Sequence, residues 1–221
     1  MIERWITTLH LEDAGVEPAE ATRERLREVF PRSAARRMTR LGMLLGSTLA
    51  QLKINPEDTL VYASMYAETR ALEDYLASFP TASPTLFQTS IHPSAVQQAL
   101  IARRQPLNAL FPLTGASALP VQALLTCLLA PAETVILCGG EERGTWLLDH
   151  GCASDRSYAY SAVLSRKPSE TALARIALTP DDTDKTGSAQ FTQREWFQSL
   201  QERQPFSGPA GCGQHLTIEW L

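Results

Sequence analysis

The sequence predicts an α/β fold: a mixed, mostly parallel five-stranded sheet covered by helices, followed by an irregular C-terminal extension. Three observations predict it. Runs of β-forming residues alternate with stretches whose apolar residues recur at helical spacing. The run Thr59 to Ser64 (TLVYAS) is continuous in apolarity, as in a strand covered on both faces. The composition, 44% hydrophobic and 20% charged over 221 residues, is that of an ordinary globular domain that buries well over half of its unfolded surface without staples.

Along the chain, Trp5 to Leu11 (WITTLHL) is rich in β-formers and fits a first strand. Glu12 to Glu20 reads as a loop, and Thr22 to Phe30 and Ala34 to Leu52 as helices parted by Pro31. In the second helix Met38, Leu41, Leu44, Leu45, Thr48, Leu49 and Leu52 form one broad apolar face. The strand Thr59 to Ser64 leads to a helix from Glu68 to Phe79, stopped at Pro80. A turn-rich segment to Ser90 opens a helix at Pro93, where proline is tolerated because its missing N–H lies among the unpaired donors of the first turn. Leu107 to Leu113 (LNALFPL) is the next strand and Ser117 to Leu129 the next helix. Glu133 to Cys138 (ETVILC), closed by a Gly139-Gly140 turn, and Tyr158 to Leu164 complete the five strands. Thr171 to Leu178 is a further candidate whose pairing is not readable. Helices between the strands favour a parallel sheet. From Thr179 onward acidic residues, Gly and Pro dominate, with one apolar cluster at Trp196-Phe197 and Leu200 and a final strand-like run, His215 to Leu221. The expected division is a body of residues 1–178 and an extension of residues 179–221.

Charge and cysteine use narrow the classes. Twenty basic against 24 acidic residues give a net of −4, and a pI near 5.6 leaves no global basic footprint for nucleic acid. Cys127, Cys138, Cys152 and Cys212 show no CxxC pair, so neither a disulfide framework nor a zinc ribbon is indicated. A cytoplasmic location is expected, since Met1-Ile2-Glu3-Arg4-Trp5 has no apolar leader. The uncharged run Gln105 to Ala132 is long enough to span a bilayer, but Pro106, Pro112, Pro120 and Pro131 divide it; it reads as deep core.

No motif announces a catalyst. His10, His92, His150 and His215 lie in no HxxxH or HExxH spacing, and His150 with Cys152 lacks two further metal ligands nearby. GxSxG, GxxxxGK[ST] and GxGxxG are all absent. Glu141, Glu142, Asp181, Asp182 and Asp184 read as solvated charges. The one charge pattern is basic: between Arg23 and Arg40 seven arginines face only Glu24 and Glu28, a local net of +5. Glu24 can pair with Arg27 and Glu28 with Arg25, while Arg32, Arg36, Arg37 and Arg40 have no acid within their own turns. A solvated helix face or a dock for an acidic partner, with Arg36, Arg37 and Arg40 as its cations, both fit.

Several phrases resemble the amino-terminal half of β-ketoacyl-acyl-carrier-protein synthases, of thiolase fold, and in particular the short ketosynthase-like amino-terminal domain family of aryl polyene and related type II clusters. Ala63-Ser64-Met65-Tyr66-Ala67-Glu68 is similar to that family's Ala-Ser-x-x-Gly-Glu, and Arg36-Arg37-Met38-Thr39-Arg40-Leu41 to its Arg-Met-Ser/Thr-Arg helix start. Ser83-Pro84-Thr85-Leu86-Phe87 followed by Ser90-Ile91-His92 is similar to its Ser-Pro-x-x-Phe-x-x-Ser-Val-His-Asn loop, and Thr134 to Glu142 to its strand with an acidic end. The resemblance spans roughly residues 1–178 and implies half of a thiolase-like fold. Phe87, Ser90 and His92 are then candidates for the motif loop or the acyl tunnel.

Two departures separate this chain from the catalytic members it resembles. Those carry a nucleophilic Cys at a helix N-terminus, where the thiolate is stabilised. The matching position here is Thr114, or Ala116 in a register anchored on Thr114-Gly115, and neither is a thiol. The family's catalytic histidines lie in a second half beyond the matched span, and Pro93 stands where the family has Asn. The resemblance therefore implies a non-catalytic subunit of chain-length-factor type, with no cofactor and no metal. Such a subunit forms a heterodimer with a full-length β-ketoacyl-acyl-carrier-protein synthase, shapes its acyl tunnel in aryl polyene or related fatty-acid or polyketide synthesis, and meets acyl carrier protein transiently. The pairing strand would be Leu107, Asn108, Ala109, Leu110 and Phe111, an uncharged run that is a liability unless covered. The competing reading is a stand-alone acyltransferase or thioester hydrolase with a Cys or Ser nucleophile. A third is a carrier-protein scaffold without a ketosynthase partner.

Overall fold

In a computed structural model, residues 1–116, 118–181 and 187–221 are described; Ser117, Asp182 and Asp184, singled out above, lie outside them. The chain runs β1 (Ile2–Gly15), α1 (Ala19–Leu26), a 3₁₀ turn (Arg27–Val29), α2 (Arg32–Ala35), α3 (Arg40–Leu49), β2 (Thr59–Ala63), α4 (Thr69–Ala77), α5 (Pro84–Thr89), α6 (Ser94–Ala102) and β3 (Ala109–Leu113). It continues with α7 (Leu119–Leu129), β4 (Thr134–Glu141), a 3₁₀ turn (Trp146–His150), β5 (Ser157–Ser165), β6 (Ala174–Pro180), α8 (Gln193–Glu202), β7 (Phe206–Gly211) and β8 (Gln214–Trp220).

All strands among the described residues join one eight-stranded sheet in the order β3-β2-β4-β5-β1-β6-β8-β7. The expected count of five is corrected to eight, and the parallel majority is corrected too. Only β2 with β3 and β2 with β4 are parallel; the remaining pairs are antiparallel. The cause is the connections. Helices intervene between β2, β3 and β4, as a parallel crossover requires, while β4 to β5 and β7 to β8 are joined without one. β1 runs four residues past its expected end at Leu11, to Gly15, and lies between β5 and β6.

The sheet carries a core on each face. Val61, Leu137, Tyr160 and Ile176 pack with α7 and with Trp196, Phe197 and Leu200 of α8. On the other face Tyr62, Ile136, Cys138 and Ala159 pack under α3 and α6. Gly46 permits that contact, since a Cβ there would sit 2.6 Å from the Phe30 ring. Arg4, fully buried, donates to the carbonyls of Ala130, Ala132 and Glu133 at 2.7–2.9 Å and so closes the C-terminal end of α7.

The described part of the C-terminal segment is built of regular elements rather than irregular. Thr192 and Glu195 form a capping box that starts α8. The Trp196-Phe197-Leu200 cluster then docks on Tyr158 and Tyr160, with the Tyr158 and Phe197 rings stacked at 4.4 Å. The Gly139-Gly140 pair is not a turn either, because β4 continues through it. A Cβ on Gly139 would lie 2.4 Å from the Ala63 carbonyl, and one on Gly140 would lie 2.3 Å from that of Tyr158. Among the described residues no helix is long and apolar enough to cross a membrane.

Candidate functional site

β3 is the outer strand on one side of the sheet, hydrogen-bonded to β2 alone. Its entry is fixed by Asn108, whose N–H donates to the Asp58 carbonyl at 3.0 Å, while the Asp58 carboxylate takes the Asn55 N–H at 2.7 Å. Among the candidate pairing residues Leu107, Ala109 and Leu110 are half-buried and Asn108 and Phe111 exposed. The run between Gln105 and Ala132 is thus not uniformly deep. α7 is buried, but β3 is a surface strand, because no described strand pairs with its outer side.

The chain leaves β3 through Thr114, Gly115 and Ala116, all exposed, and enters α7. This is the position implied for a nucleophile. An open depression of about 530 Å³ lies here, lined by Leu113, Thr114, Gly115, Leu119, Gln122 and Gln190. Among the described residues no histidine, carboxylate or lysine lines it, so no described group stands as a base beside the Thr114 hydroxyl. The four thiols lie elsewhere. Cys127 and Cys138 are buried, and burial pushes the Cys127 thiol up to about 12 and Cys138 higher still. Cys152 and Cys212 are free and exposed. Among the described residues no group of three His, Cys, Asp or Glu side chains is placed to hold a metal.

The acidic residues behave differently from the solvated charges the sequence suggested. Glu141 is 1% exposed and closes the end of β2: it accepts the Met65 N–H at 2.6 Å, the Ser64 hydroxyl at 3.0 Å and the Tyr66 N–H at 3.1 Å. Burial outweighs these donors and raises its carboxyl to about 8. Glu142, raised by burial to about 7, takes the Leu41 N–H at the start of α3. Glu73, buried in α4, takes the N–H groups of Thr145 and Leu147. Glu68, also buried, accepts the Ala95 N–H at 3.0 Å and pairs with His92 Nδ1 at 2.9 Å. These carboxylates replace the regular ladder where strands end and loops begin; they hold backbone rather than substrate.

The motif loop is assembled by the same clamp. His92 stacks on Tyr62 at 5.1 Å, and the Ser90 hydroxyl caps α5 by donating to the Phe87 carbonyl at 2.8 Å. Phe87 instead faces outward, 49% exposed, against Tyr75. It belongs to an apolar surface with Leu72, Leu76, Phe79 and Ile91, each at least 36% exposed. That surface was missed in the sequence, although Leu72, Leu76 and Phe79 recur at four and three residues, which marks one helix face.

The arginine-rich stretch divides in two. Arg40 is 5% exposed: its Nε donates to Thr22 Oγ1 at 2.8 Å and Nη2 to the Glu17 carbonyl at 2.9 Å. Its partners come from α1 and the β1–α1 connection rather than from its own helix, and this burial makes it unavailable for docking. Arg25 pairs with Glu12 and Glu17 instead of Glu28. Arg36 and Arg37 are exposed beside depressions on either side of α2.

No protein-family model matches the sequence, and no curated protein matches it. Among solved structures, the chain is similar to a chain of the complex of a ketosynthase (ApeO) with its chain length factor (ApeC) from Xenorhabdus doucetiae, at 18% identity and a TM-score of 0.66, with 99% of this chain and 100% of that chain covered. It is also similar to the ishigamide ketosynthase/chain length factor, at 13% identity and a TM-score of 0.50, covering 84% of this chain and 66% of that one. An oxazolomycin ketosynthase domain from Streptomyces albus matches at 11% identity and a TM-score of 0.52, with 88% of this chain and 49% of that domain covered. An eight-stranded mixed sheet between helical layers, together with the likeness over 99% of its length to a chain of a ketosynthase–chain length factor complex, gives this chain the ketosynthase-like, thiolase-type fold.

Proposed function

We propose that this chain is a non-catalytic, ketosynthase-like subunit of chain-length-factor type. It pairs through β3 with a full-length β-ketoacyl-acyl-carrier-protein synthase and walls part of that partner's acyl tunnel in aryl polyene or related fatty-acid or polyketide synthesis. The observation that carries the reading is the pairing of two features at one place: an open, uncharged outer strand and, directly after it, Thr114 with no base beside it among the described residues. An open strand of this kind invites a partner strand. The exposed apolar side chains Leu72, Leu76, Phe79, Phe87 and Ile91 add apolar surface that a partner would cover. Further support is the end-to-end coverage of a chain from a ketosynthase–chain length factor complex.

Chain-length control follows from packing. A tunnel closed by fixed side chains admits a further two-carbon unit only by displacing them, which costs on the order of 1–3 kcal/mol in a well-packed interior. Arg36 and Arg37 are the cations offered to an acidic carrier or partner. The stand-alone acyltransferase reading finds no support in the geometry, since burial raises the Cys127 and Cys138 thiols and, among the described residues, no thiol, histidine or carboxylate lines the depression beside Thr114.

The test is co-expression with a full-length ketosynthase encoded beside it, followed by size-exclusion chromatography and exposure to acyl thioesters under mass spectrometry. A stoichiometric complex with acylation confined to the partner is expected. A chain that elutes alone as a monomer, or that takes the acyl group on its own Thr114 or a cysteine, overturns the proposal.

A further inference from the structure

The hydrogen-bonding pattern of β3 distinguishes between partners. Leu113 accepts the Ser64 N–H at 3.1 Å, so its backbone faces β2. In a strand the facing alternates, and the register of Thr59 on Ala109 through Ala63 on Leu113 therefore turns Ala109, Phe111 and Leu113 inward and Leu110 and Pro112 outward. The exposed side thus offers an N–H and a carbonyl at Leu110 but only a carbonyl at Pro112, whose ring nitrogen carries no hydrogen. Among the described residues nothing bonds to these three groups.

We infer that Pro112 makes β3 select a strand from a different chain over a second copy of itself. The inference rests on the pairing reading above and adds which partner the strand admits. A two-fold dimer brings the proline in twice. With Leu110 opposite Pro112 of the copy, each of the two symmetric pairs loses the bond the proline would have donated. With Leu110 opposite Leu110, the two prolines fall outside the paired centre and donate nothing to its flanks, where Asn108 has already spent its N–H on Asp58. With Pro112 opposite Pro112, two carbonyls face each other without a donor between them. A different strand meets the defect once, and it fits when it presents an N–H to the Pro112 carbonyl and leaves its own carbonyl at that place to water.

The experiment measures self-association of the full chain by sedimentation velocity, for the natural sequence and for Pro112→Val and Pro112→Ala. Both substitutions restore the outward donor, and two regained hydrogen bonds of ordinary strength correspond to a dimer about 30-fold tighter. The natural chain is expected to stay monomeric at concentrations where the variants dimerise. Leu110→Pro added to Pro112→Val should return it to monomer. Circular dichroism melts confirm that each variant is folded, and using two substitutions keeps the test decisive if one is not. Equal self-association of the natural chain and a folded variant, whether both dimeric or both monomeric, overturns the inference. Ketosynthase capture is scored separately: its absence strikes the proposed function, whereas unchanged self-association strikes only the selectivity of Pro112.

Discussion

Replacing Glu141 with Gln should flatten the dependence of stability on pH. In the folded chain this carboxyl is buried and holds its proton to about pH 8, against an ordinary value of 4.5. The folded state therefore binds more protons than the unfolded state between those values. The stabilisation is complete below pH 4.5 and is lost as pH rises through 8. At about 1.4 kcal/mol per pH unit, the loss between pH 5 and pH 8 is on the order of 3–4 kcal/mol. Glu142, with its carboxyl raised to about 7, acts in the same direction over a shorter window. In Glu141→Gln the amide oxygen can still accept the Met65 N–H, but its NH₂ group turns toward the Tyr66 N–H. The variant should accordingly lose about 1–3 kcal/mol at pH 5 and show a shallower slope above it. Urea unfolding at pH 5, 6, 7 and 8 measures both quantities. A stability difference between the natural chain and the variant that stays constant across that range would refute the reasoning, because it would mean that Met65, Tyr66 and Ser64 keep Glu141 ionised despite its burial.

Three further outcomes follow from the same geometry. Gly139→Ala puts a Cβ 2.4 Å from the Ala63 carbonyl and 2.5 Å from the Tyr160 hydroxyl, and should lower stability by about 2–4 kcal/mol in chemical denaturation. Arg40→Ala leaves the buried Thr22 hydroxyl and the half-buried Glu17 carbonyl without their donor and should cost about 2–4 kcal/mol, whereas Arg36→Ala and Arg37→Ala should shift the unfolding free energy by less than about 0.5 kcal/mol. Phe111→Asp, at a side chain already 42% exposed, should leave the melting temperature within a few degrees while weakening capture of a ketosynthase at least tenfold by surface plasmon resonance; unchanged capture would remove β3 from the interface.

The first half of the fold was legible because its signals are local. β2, α3, α7 and β4 each show an apolar run or a helical face that agrees with where the residue ends up. The second half was misread for two reasons. The Thr192-to-Glu195 spacing is a helix-start signal that was passed over among polar neighbours, and pairing of β6 with β1 joins residues more than 150 positions apart, which no local pattern records. At the candidate site Thr114 and the uncharged strand could be read directly. The buried acids could not, because Glu141 looks like any surface carboxylate until Ser64, Met65 and Tyr66 are brought to it by the sheet. Arg40 was misassigned for the same reason: its partners lie about 20 residues upstream, outside the helical spacing used to search for them.

The position of β1 also bears on the order of assembly. Its two neighbours, β5 and β6, emerge from the ribosome only after residues 157–165 and 174–180 have been made. At roughly 5–20 residues per second, β1 waits on the order of ten seconds or more for them, with its pairing groups open. The parallel block of β2, β3 and β4 is complete earlier, with residue 141. Closure of such distant pairs is slow, so the parallel block of β2, β3 and β4 can form while the antiparallel half of the sheet is still open.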